Sequence, residues 1–158
     1  MSLKQLHLIS VGKPKAVHWR DAATHYLERL GYWRNVRESI IKDADASLPV
    51  SKRKSEEGKR ILAAVSKEDI VICLDEHGKS MTSPQFSQFL DNLSSDQTRR
   101  PCFIIGGAFG LEREVLSQAK YTMALGPQTL PHELARVVLL EQIYRAECIL
   151  RNTPYHHV

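Results

Sequence analysis

No stretch of this 158-residue sequence reaches the roughly 18 consecutive apolar residues that a membrane-spanning helix needs. Its first residues also lack the charged and apolar regions of a secretory signal. Only three cysteines are present, each inside an apolar run and none in a Cys-x-x-Cys pair, which is typical of buried thiols in a reducing compartment. These absences predict a cytoplasmic protein that does not enter a membrane.

Several signatures of nucleotide binding and nucleophilic catalysis are also missing. The glycines of segment 106–110 do not form Gly-x-Gly-x-x-Gly, and no acidic residue ends a strand some twenty residues later, so the dinucleotide fingerprint fails. No Walker-type Gly-Lys-Ser/Thr or Gly-x-Ser-x-Gly turn is present. Asp75 ends a strand as a receiver-domain phospho-acceptor does, but the acidic pair which that reading needs is replaced by Gly12-Lys13. The seven histidines lack metal-ligand spacing, so we expect no metal site.

What the sequence does contain is an excess of positive charge, +4 overall with a pI near 9.0. The excess is clustered in Lys52-Arg53-Lys54, Lys59-Arg60 and Arg99-Arg100. Such clusters are compatible with a polyanionic partner, although basic surfaces are often only solvated.

Short apolar runs alternate with segments of helical periodicity along the whole chain. Strands are predicted over residues 6–11, 35–42, 69–75, 101–105 and 121–125, and helices over residues 19–30, 51–65, 83–93, 111–119 and 131–151. Residues 76–79 are predicted to turn the chain, and Ser83 to cap the third helix ahead of Pro84. The alternation predicts an α/β fold with a mostly parallel sheet flanked by helices, formed by residues 1–158 as one domain.

Three loops at the carboxyl ends of the predicted strands are candidates for a ligand site, because ligands of such sheets bind at that edge. They follow Leu74-Asp75, span residues 106–110 and span residues 125–130. The segment 125–132, Leu-Gly-Pro-Gln-Thr-Leu-Pro-His, could hold a ligand through its backbone, or could simply connect a strand to a helix that Pro131 opens.

The final predicted helix is apolar on more than half of its circumference. A stripe of that width has to bury two faces, one on its own sheet and the other on a partner subunit. Glu141 and Arg145 are spaced for an ion pair within the helix, and the tail that carries Tyr155, His156 and His157 could be disordered. The functional alternative is an aromatic ring that stacks on substrate, beside imidazoles that transfer a proton.

Motifs along the whole chain resemble the RlmH (YbeA-type) methyltransferases of the SPOUT superfamily. They are Leu74-Asp75-x-x-Gly78, Phe103-Ile-Ile-Gly-Gly-Ala-Phe-Gly-Leu, Thr129-Leu-Pro-His, Arg136-Val-Val-Leu-Leu-Glu-Gln-Ile-Tyr-Arg-Ala and Pro154-Tyr-His. The resemblance implies a SPOUT-type fold with a C-terminal trefoil knot and a homodimer whose site lies at the interface. The implied activity is methylation, by S-adenosyl-L-methionine, of N3 of a pseudouridine in 23S rRNA within the assembled ribosome.

The resemblance also assigns roles to residues. The expected cofactor contacts are Leu74, Gly106, Gly107, Leu125, Gly126, Pro127, Gln128, Thr129 and Leu130. The expected catalytic residues are Tyr155 and His156 at the base, Arg145 at the substrate or its phosphate, and His132 between cofactor and substrate.

The chain departs from many relatives at Ala108-Phe109 and in its closing His156-His157-Val158, where relatives often carry a basic residue after one histidine. Without a separate RNA-binding domain, ribosome affinity would come from the basic clusters and would fall steeply with salt. Two other hypotheses are a catalytically inactive ribosome- or nucleotide-binding factor of the same fold, and a Rossmann-like enzyme that uses another adenine nucleotide.

Overall fold

The structure of the protein, a computed structural model, describes residues 2–157. The predicted domain, residues 1–158, also includes Met1 and Val158, which lie outside the described residues. Its ten elements alternate strand and helix as the sequence predicts. They are β1 (Lys4–Val11), α1 (Val17–Leu30), β2 (Arg34–Ile41), α2 (Val50–Ala64), β3 (Asp69–Ser80), α3 (Ser83–Ser94), β4 (Arg100–Ile105), α4 (Arg113–Gln118), β5 (Tyr121–Ala124) and α5 (His132–Leu150). None of the helices in this described range is long and apolar enough to cross a membrane.

The five strands form one sheet in the order β2-β1-β4-β3-β5, and each pairing of neighbours is parallel. One core cluster packs α1, α3 and α5 on one face of the sheet, and a second cluster packs α2 and α4 on the other. Strands such as β4 are buried along nearly their full length because both faces are covered, which explains their continuous apolar sequence.

The predicted turn at residues 76–79 is wrong, because β3 continues to Ser80. The strand pairs with β5 up to Leu74, loses register, and pairs again from Lys79, so the intervening residues form an irregular excursion. An added Cβ at Gly78 would lie 2.7 Å from backbone atoms of Met123, so the chain crosses β5 at very close range here. Only glycine permits this approach.

The predicted cap of α3 is also displaced by one residue. Thr82, not Ser83, is the N-cap: its side chain accepts a hydrogen bond from the backbone N–H of Gln85, whose side chain accepts one from the N–H of Thr82. This reciprocal pair satisfies two helix-terminal donors. Ser83 instead donates to Gln142, which ties α3 to α5.

Two ion pairs fix α5 against the sheet. Arg34 of β2 is fully buried and donates through Nε to Glu147 at 2.5 Å. Arg136, near the other end of α5, donates to Glu38 of β2. The helix is therefore held at both ends by the same strand. Every residue of α5 is buried or half-buried, and none is exposed.

A third ionic cluster lies in the interior between β1, β3 and β4. Asp69 is in contact with His7 Nδ1 at 2.8 Å and accepts from Arg100 Nε at 2.7 Å, while His7 Nε2 lies 2.8 Å from Ser39 Oγ. Cys102 is close enough for its sulfur to join His7 and Asp69 as metal ligands. We interpret the cluster as structural, since its imidazole and carboxylate already have partners and burial raises the pKa of the Cys102 thiol.

The Asp69 cluster predicts a pH-dependent stability. Burial alone would raise the pKa of Asp69, but hydrogen bonds from His7, Ser66 and Arg100 outweigh it and hold the pKa well below its ordinary value of about 4. This stabilisation is therefore complete above about pH 4 and is lost as the pH falls and the carboxylate is protonated. We expect Asp69→Asn to lower the free energy of unfolding by about 3 kcal/mol at pH 7, and by about 1 kcal/mol less at pH 3, one unit below the pKa of an unfolded aspartate.

Urea unfolding at a fixed protomer concentration measures this difference. Asp91→Asn is the control, because Asp91 forms an exposed pair with Lys4 and should matter little at either pH. A deficit of Asp69→Asn that stays constant between the two pH values would contradict the assignment.

Candidate active site

The three loops predicted from the sequence line one cavity at the carboxyl ends of β3, β4 and β5. The cavity has a volume of about 540 Å³, in the range of small-molecule sites. Predicted cofactor residues on its wall are Leu74, Gly106, Gly107, Leu125, Gly126, Gln128, Thr129 and Leu130. Pro127 is exposed and is not among the lining residues.

The glycine loop, residues 106–110, is a tight turn. The N–H of Gly110 donates to the carbonyl of Gly107 at 3.1 Å, and Gly110 adopts φ +78°. An added Cβ at Gly106 would lie 2.8 Å from the carbonyl carbon of Gly110. The turn itself therefore requires these glycines, and the evidence for a ligand is the cavity beside them rather than the glycines alone.

The loop between β5 and α5 is partly buried. Leu125 and Leu130 are half-buried, and Gly126 adopts φ +138°, which L side chains disfavour. The hydroxyl of Thr129 donates to Glu76 on the excursion of β3. This bond joins two of the three loops across the cavity.

Sequence reasoning missed several residues of the cavity wall. Asp75 and Glu76 place carboxylates beside Leu74, and Lys54 reaches the cavity from α2. Phe109, by contrast, lies within the predicted ligand loop 106–110 and lines the cavity. Lys54 was predicted only as part of a surface cluster, because nothing in a local pattern indicates that α2 passes beside the glycine loop.

His132 lies where the cavity meets the first turn of α5. It lines the cavity, and its Nε2 is 3.3 Å from the position that a Cβ of Gly12 would occupy, with the carboxylate of Asp43 equally near that point. Glu133, the next residue, accepts from the backbone N–H of Lys15 at 2.5 Å. The β1–α1 loop thus fixes the start of α5 and the position of His132.

The other predicted catalytic residues form a separate cluster around Glu141. Arg145 donates through Nε and Nη2 to one oxygen of Glu141, at 3.0 and 2.5 Å, and the hydroxyl of Tyr155 donates to the same oxygen at 3.1 Å. Arg145 Nη1 lies 3.2 Å from His156 Nδ1, and its guanidinium covers the ring of Tyr155 at 4.8 Å. The predicted Glu141–Arg145 ion pair is confirmed, and the tail is tied to α5 through residue 156.

The environment of Tyr155 determines its protonation. Burial raises the pKa of the phenol, and the neighbouring Tyr26 and Glu141 raise it further. Glu141 also raises the pKa of Arg145. At neutral pH both groups therefore carry their protons and can act as hydrogen-bond donors, so Tyr155 in this arrangement is not a base.

Within one chain, the two parts of the predicted site are far apart. His132 and Arg145 are separated by thirteen residues of one helix, and a rise of about 1.5 Å per residue places them about 20 Å apart along its axis. Arg145, Tyr155 and His156 are not among the residues that line the cavity. The structure brings His132 to the three loops of the cavity and leaves the other three residues at a distance.

Comparisons with known proteins agree with this architecture. The family described as "Predicted SPOUT methyltransferase" matches residues 4–156. Proteins named ribosomal RNA large subunit methyltransferase H are similar over nearly the full length: that of Lawsonia intracellularis is 57% identical over 99% of this chain and 100% of the relative, and that of Nitratidesulfovibrio vulgaris is 54% identical over 98% and 100%. A solved structure of a probable methylase family protein from Haemophilus influenzae has a TM-score of 0.54 at 9% identity, and the alignment covers 93% of this chain and 66% of that one.

Proposed function

Because the chain belongs to the SPOUT methyltransferase family, we propose that it methylates N3 of a pseudouridine in 23S rRNA within the assembled ribosome. As a member of this family it is an enzyme whose methyl donor is S-adenosyl-L-methionine. The observation that carries the proposal is the cavity of about 540 Å³ at the meeting point of three loops, in a chain that matches the family over residues 4–156. The substrate implies a cytoplasmic enzyme that acts on the ribosome.

The residues of the cavity fit this cofactor. S-adenosylmethionine supplies a methyl group on a positively charged sulfur, and the carboxylates of Asp75 and Glu76 line the same cavity. The glycine loop and the loop around Gly126 offer backbone groups without intervening side chains, which suits the recognition of a flat base and a ribose. We propose that the predicted cofactor residues hold it, with Pro127 acting through the rigidity of the loop rather than by contact.

Methylation of an imide nitrogen requires that its N–H lose a proton and that the resulting charge be stabilised. The hydroxyl of Tyr155 and the guanidinium of Arg145 are donors suited to the flanking carbonyl oxygens, where that charge accumulates. We propose that these two groups orient and stabilise the base, and that His156 contacts it beside them. His132 would connect the cofactor loops to the substrate.

A homodimer would join the two separated parts of the site. Leu134, Val138, Glu141 and Arg145 follow one another at helical spacing along α5, and all four are half-buried in the single chain. Leu134 and Val138 belong to neither core cluster of the described chain. A two-fold axis across this stripe pairs the Arg145 end of one helix with the cavity end of the other, so each site would take its tail from the partner.

We also propose that the fold is knotted. The support is the close crossing at Gly78, where the excursion of β3 passes against the backbone of Met123 just before the chain enters the third loop. The following helix, α5, lies back among α1 and α3 rather than at the edge where β5 ends. Pulling the two termini apart in single-molecule experiments tests the proposal: an unfolded length shorter than the full contour is expected, and the full length would contradict a knot.

The enzyme assay compares assembled 70S ribosomes, 50S subunits and naked 23S rRNA as substrates, with mass spectrometry of the modified nucleoside. Methylated pseudouridine formed on 70S ribosomes is the expected result. Binding to ribosomes without methyl transfer would favour the inactive alternative, and tighter binding of NAD than of S-adenosylhomocysteine in calorimetry would favour another nucleotide enzyme.

The loop between β5 and α5 gives a prediction about cofactor affinity. Nothing lies within 4 Å of an added Cβ at Gly126, so the obstacle to a side chain is the φ of +138°. Holding an L residue in this region costs about 1–3 kcal/mol, so the backbone of an alanine variant is expected to shift away from it. We therefore expect Gly126→Ala to weaken S-adenosylhomocysteine binding about tenfold in calorimetry, and Gln128→Ala, a change at an exposed side chain, to weaken it less than about threefold. Equal effects of the two changes would contradict a backbone-held cofactor.

A further inference from the structure

Phe109 is an exposed aromatic ring at the mouth of the cofactor cavity. It lies at the tip of the glycine loop, which the Gly107–Gly110 hydrogen bond closes, and 46% of its surface remains accessible. The ring lines the cavity yet belongs to neither core cluster of the described chain. The exposed part of the ring therefore contributes nothing to the hydrophobic stabilisation of the fold.

A cationic side chain of α2 holds this ring. The guanidinium of Arg53 lies 4.9 Å from the centre of the Phe109 ring, and Arg53 Nε is buried without a hydrogen-bond partner in the described range. One helical turn later, Glu57 packs against the glycine loop. Its Oε2 lies 3.1 Å from the position that a Cβ added at Gly107 would occupy. Contacts with two residues of α2 therefore hold the ring and its loop in place.

The charge around Phe109 distinguishes two kinds of ligand. Lys54 lines the cavity beside Arg53, and the exposed Lys52 precedes both on α2. The sulfonium centre of the cofactor gains nothing from these cationic side chains, whereas the phosphates of RNA do. Aromatic rings beside basic residues are the usual platform for unstacked bases of single-stranded RNA.

We propose that Phe109, supported by Arg53, is a stacking platform for a nucleobase of the substrate RNA as it enters the cavity, with Arg53 and Lys54 beside the adjoining phosphate. The proposal rests on the proposed function, because it assumes that RNA reaches this cavity. It adds a substrate contact on the cofactor-bearing chain, distinct from the tail that carries Tyr155 and His156.

Steady-state methylation of 70S ribosomes tests the platform. Phe109→Ala and Phe109→Leu are each expected to raise the KM for ribosomes about tenfold, because both remove the aromatic face and Leu keeps apolar bulk. Phe109→Trp is expected to restore the KM to within about threefold of the wild-type value. The kcat and the affinity for S-adenosylhomocysteine, measured by calorimetry, should change less than about twofold in every variant.

The chain contains a matched control. Tyr121 is also an exposed ring with a cation over it, the ammonium of Lys120 at 5.7 Å, but it lies at the opposite end of β5 from the cavity. Tyr121→Ala should leave the KM for ribosomes unchanged.

An unchanged KM in Phe109→Ala and Phe109→Leu would overturn the platform while the wild-type activity upholds the proposed function. A parallel loss of S-adenosylhomocysteine affinity would also overturn it, by assigning the ring to the cofactor. A wild-type chain that binds no S-adenosylhomocysteine and methylates no ribosomes would remove the proposed function itself, and the platform with it.

Discussion

Two variants that are each inactive are expected to recover methyl transfer when they are mixed. Gly106→Ala disrupts the glycine loop, because its Cβ would meet the backbone of Gly110 at 2.8 Å. The double variant Tyr155→Ala/His156→Ala removes the tail groups while leaving the cavity intact. If each site combines the cavity of one chain with the tail of its partner, a mixed dimer contains one complete site.

The expected recovery follows from counting. In an equimolar mixture after subunit exchange, about half of the dimers are mixed and one of their two sites is complete, so about a quarter of the wild-type activity should return. Ribosome methylation, before and after exchange, measures it. No recovery after verified exchange would contradict a site shared between subunits.

A second mixture distinguishes shared sites from sites within one chain. A chain that carries all three substitutions is mixed with an equal amount of wild-type chain. Shared sites leave only wild-type dimers active, about a quarter of the activity of the same total amount of wild-type protein, whereas sites within one chain leave about half.

The second large effect is expected at the crossing of β3 and β5. Gly78→Ala places a Cβ 2.7 Å from three backbone atoms of Met123, and neither strand can yield without breaking the pairing of Lys79 and Ser80 with β5. Overpacking against backbone is costly, and we expect the free energy of unfolding to fall by about 3 kcal/mol or more. Urea unfolding at fixed protomer concentration measures it.

Gly31→Ala is the control for this substitution. Gly31 ends α1 with an ordinary right-handed φ of −56°, and the nearest atom to its added Cβ is the carbonyl oxygen of Glu28 at 3.2 Å. Alanine is expected to change stability there by less than about 1 kcal/mol. A Gly78→Ala protein as stable as the Gly31→Ala protein would show that the crossing is looser than described.

The strand order along the chain was predictable because each strand is a continuous apolar run between turn residues. The continuation of β3 was not, because Glu76-His77-Gly78-Lys79 has the composition of a turn. What extends the strand is pairing with Met123 and Ala124, more than forty residues away, and no local pattern contains that contact. The cap at Thr82 was accessible from sequence, since Thr82-x-x-Gln85 is a capping-box pattern.

The cavity of the candidate site was largely predictable, since three loops at carboxyl strand ends must meet at one sheet edge. The contribution of Lys54 was not, because it depends on how α2 packs against the glycine loop. The distance between His132 and Arg145 was also accessible from the sequence. Thirteen helical residues fix it, and that spacing alone indicates that a single chain does not bring these two side chains together.

The contacts of Glu141 with Arg145 and Tyr155 have a thermodynamic consequence for binding. Fixing the backbone of a free segment costs about 1–2 kcal/mol of conformational entropy per residue. A tail that became ordered only on the ribosome would lose that amount from its affinity for every residue it immobilised. Here the ordering is completed when the chain folds, so the proposed contact of Tyr155 and His156 with RNA would use a geometry that binding does not have to create.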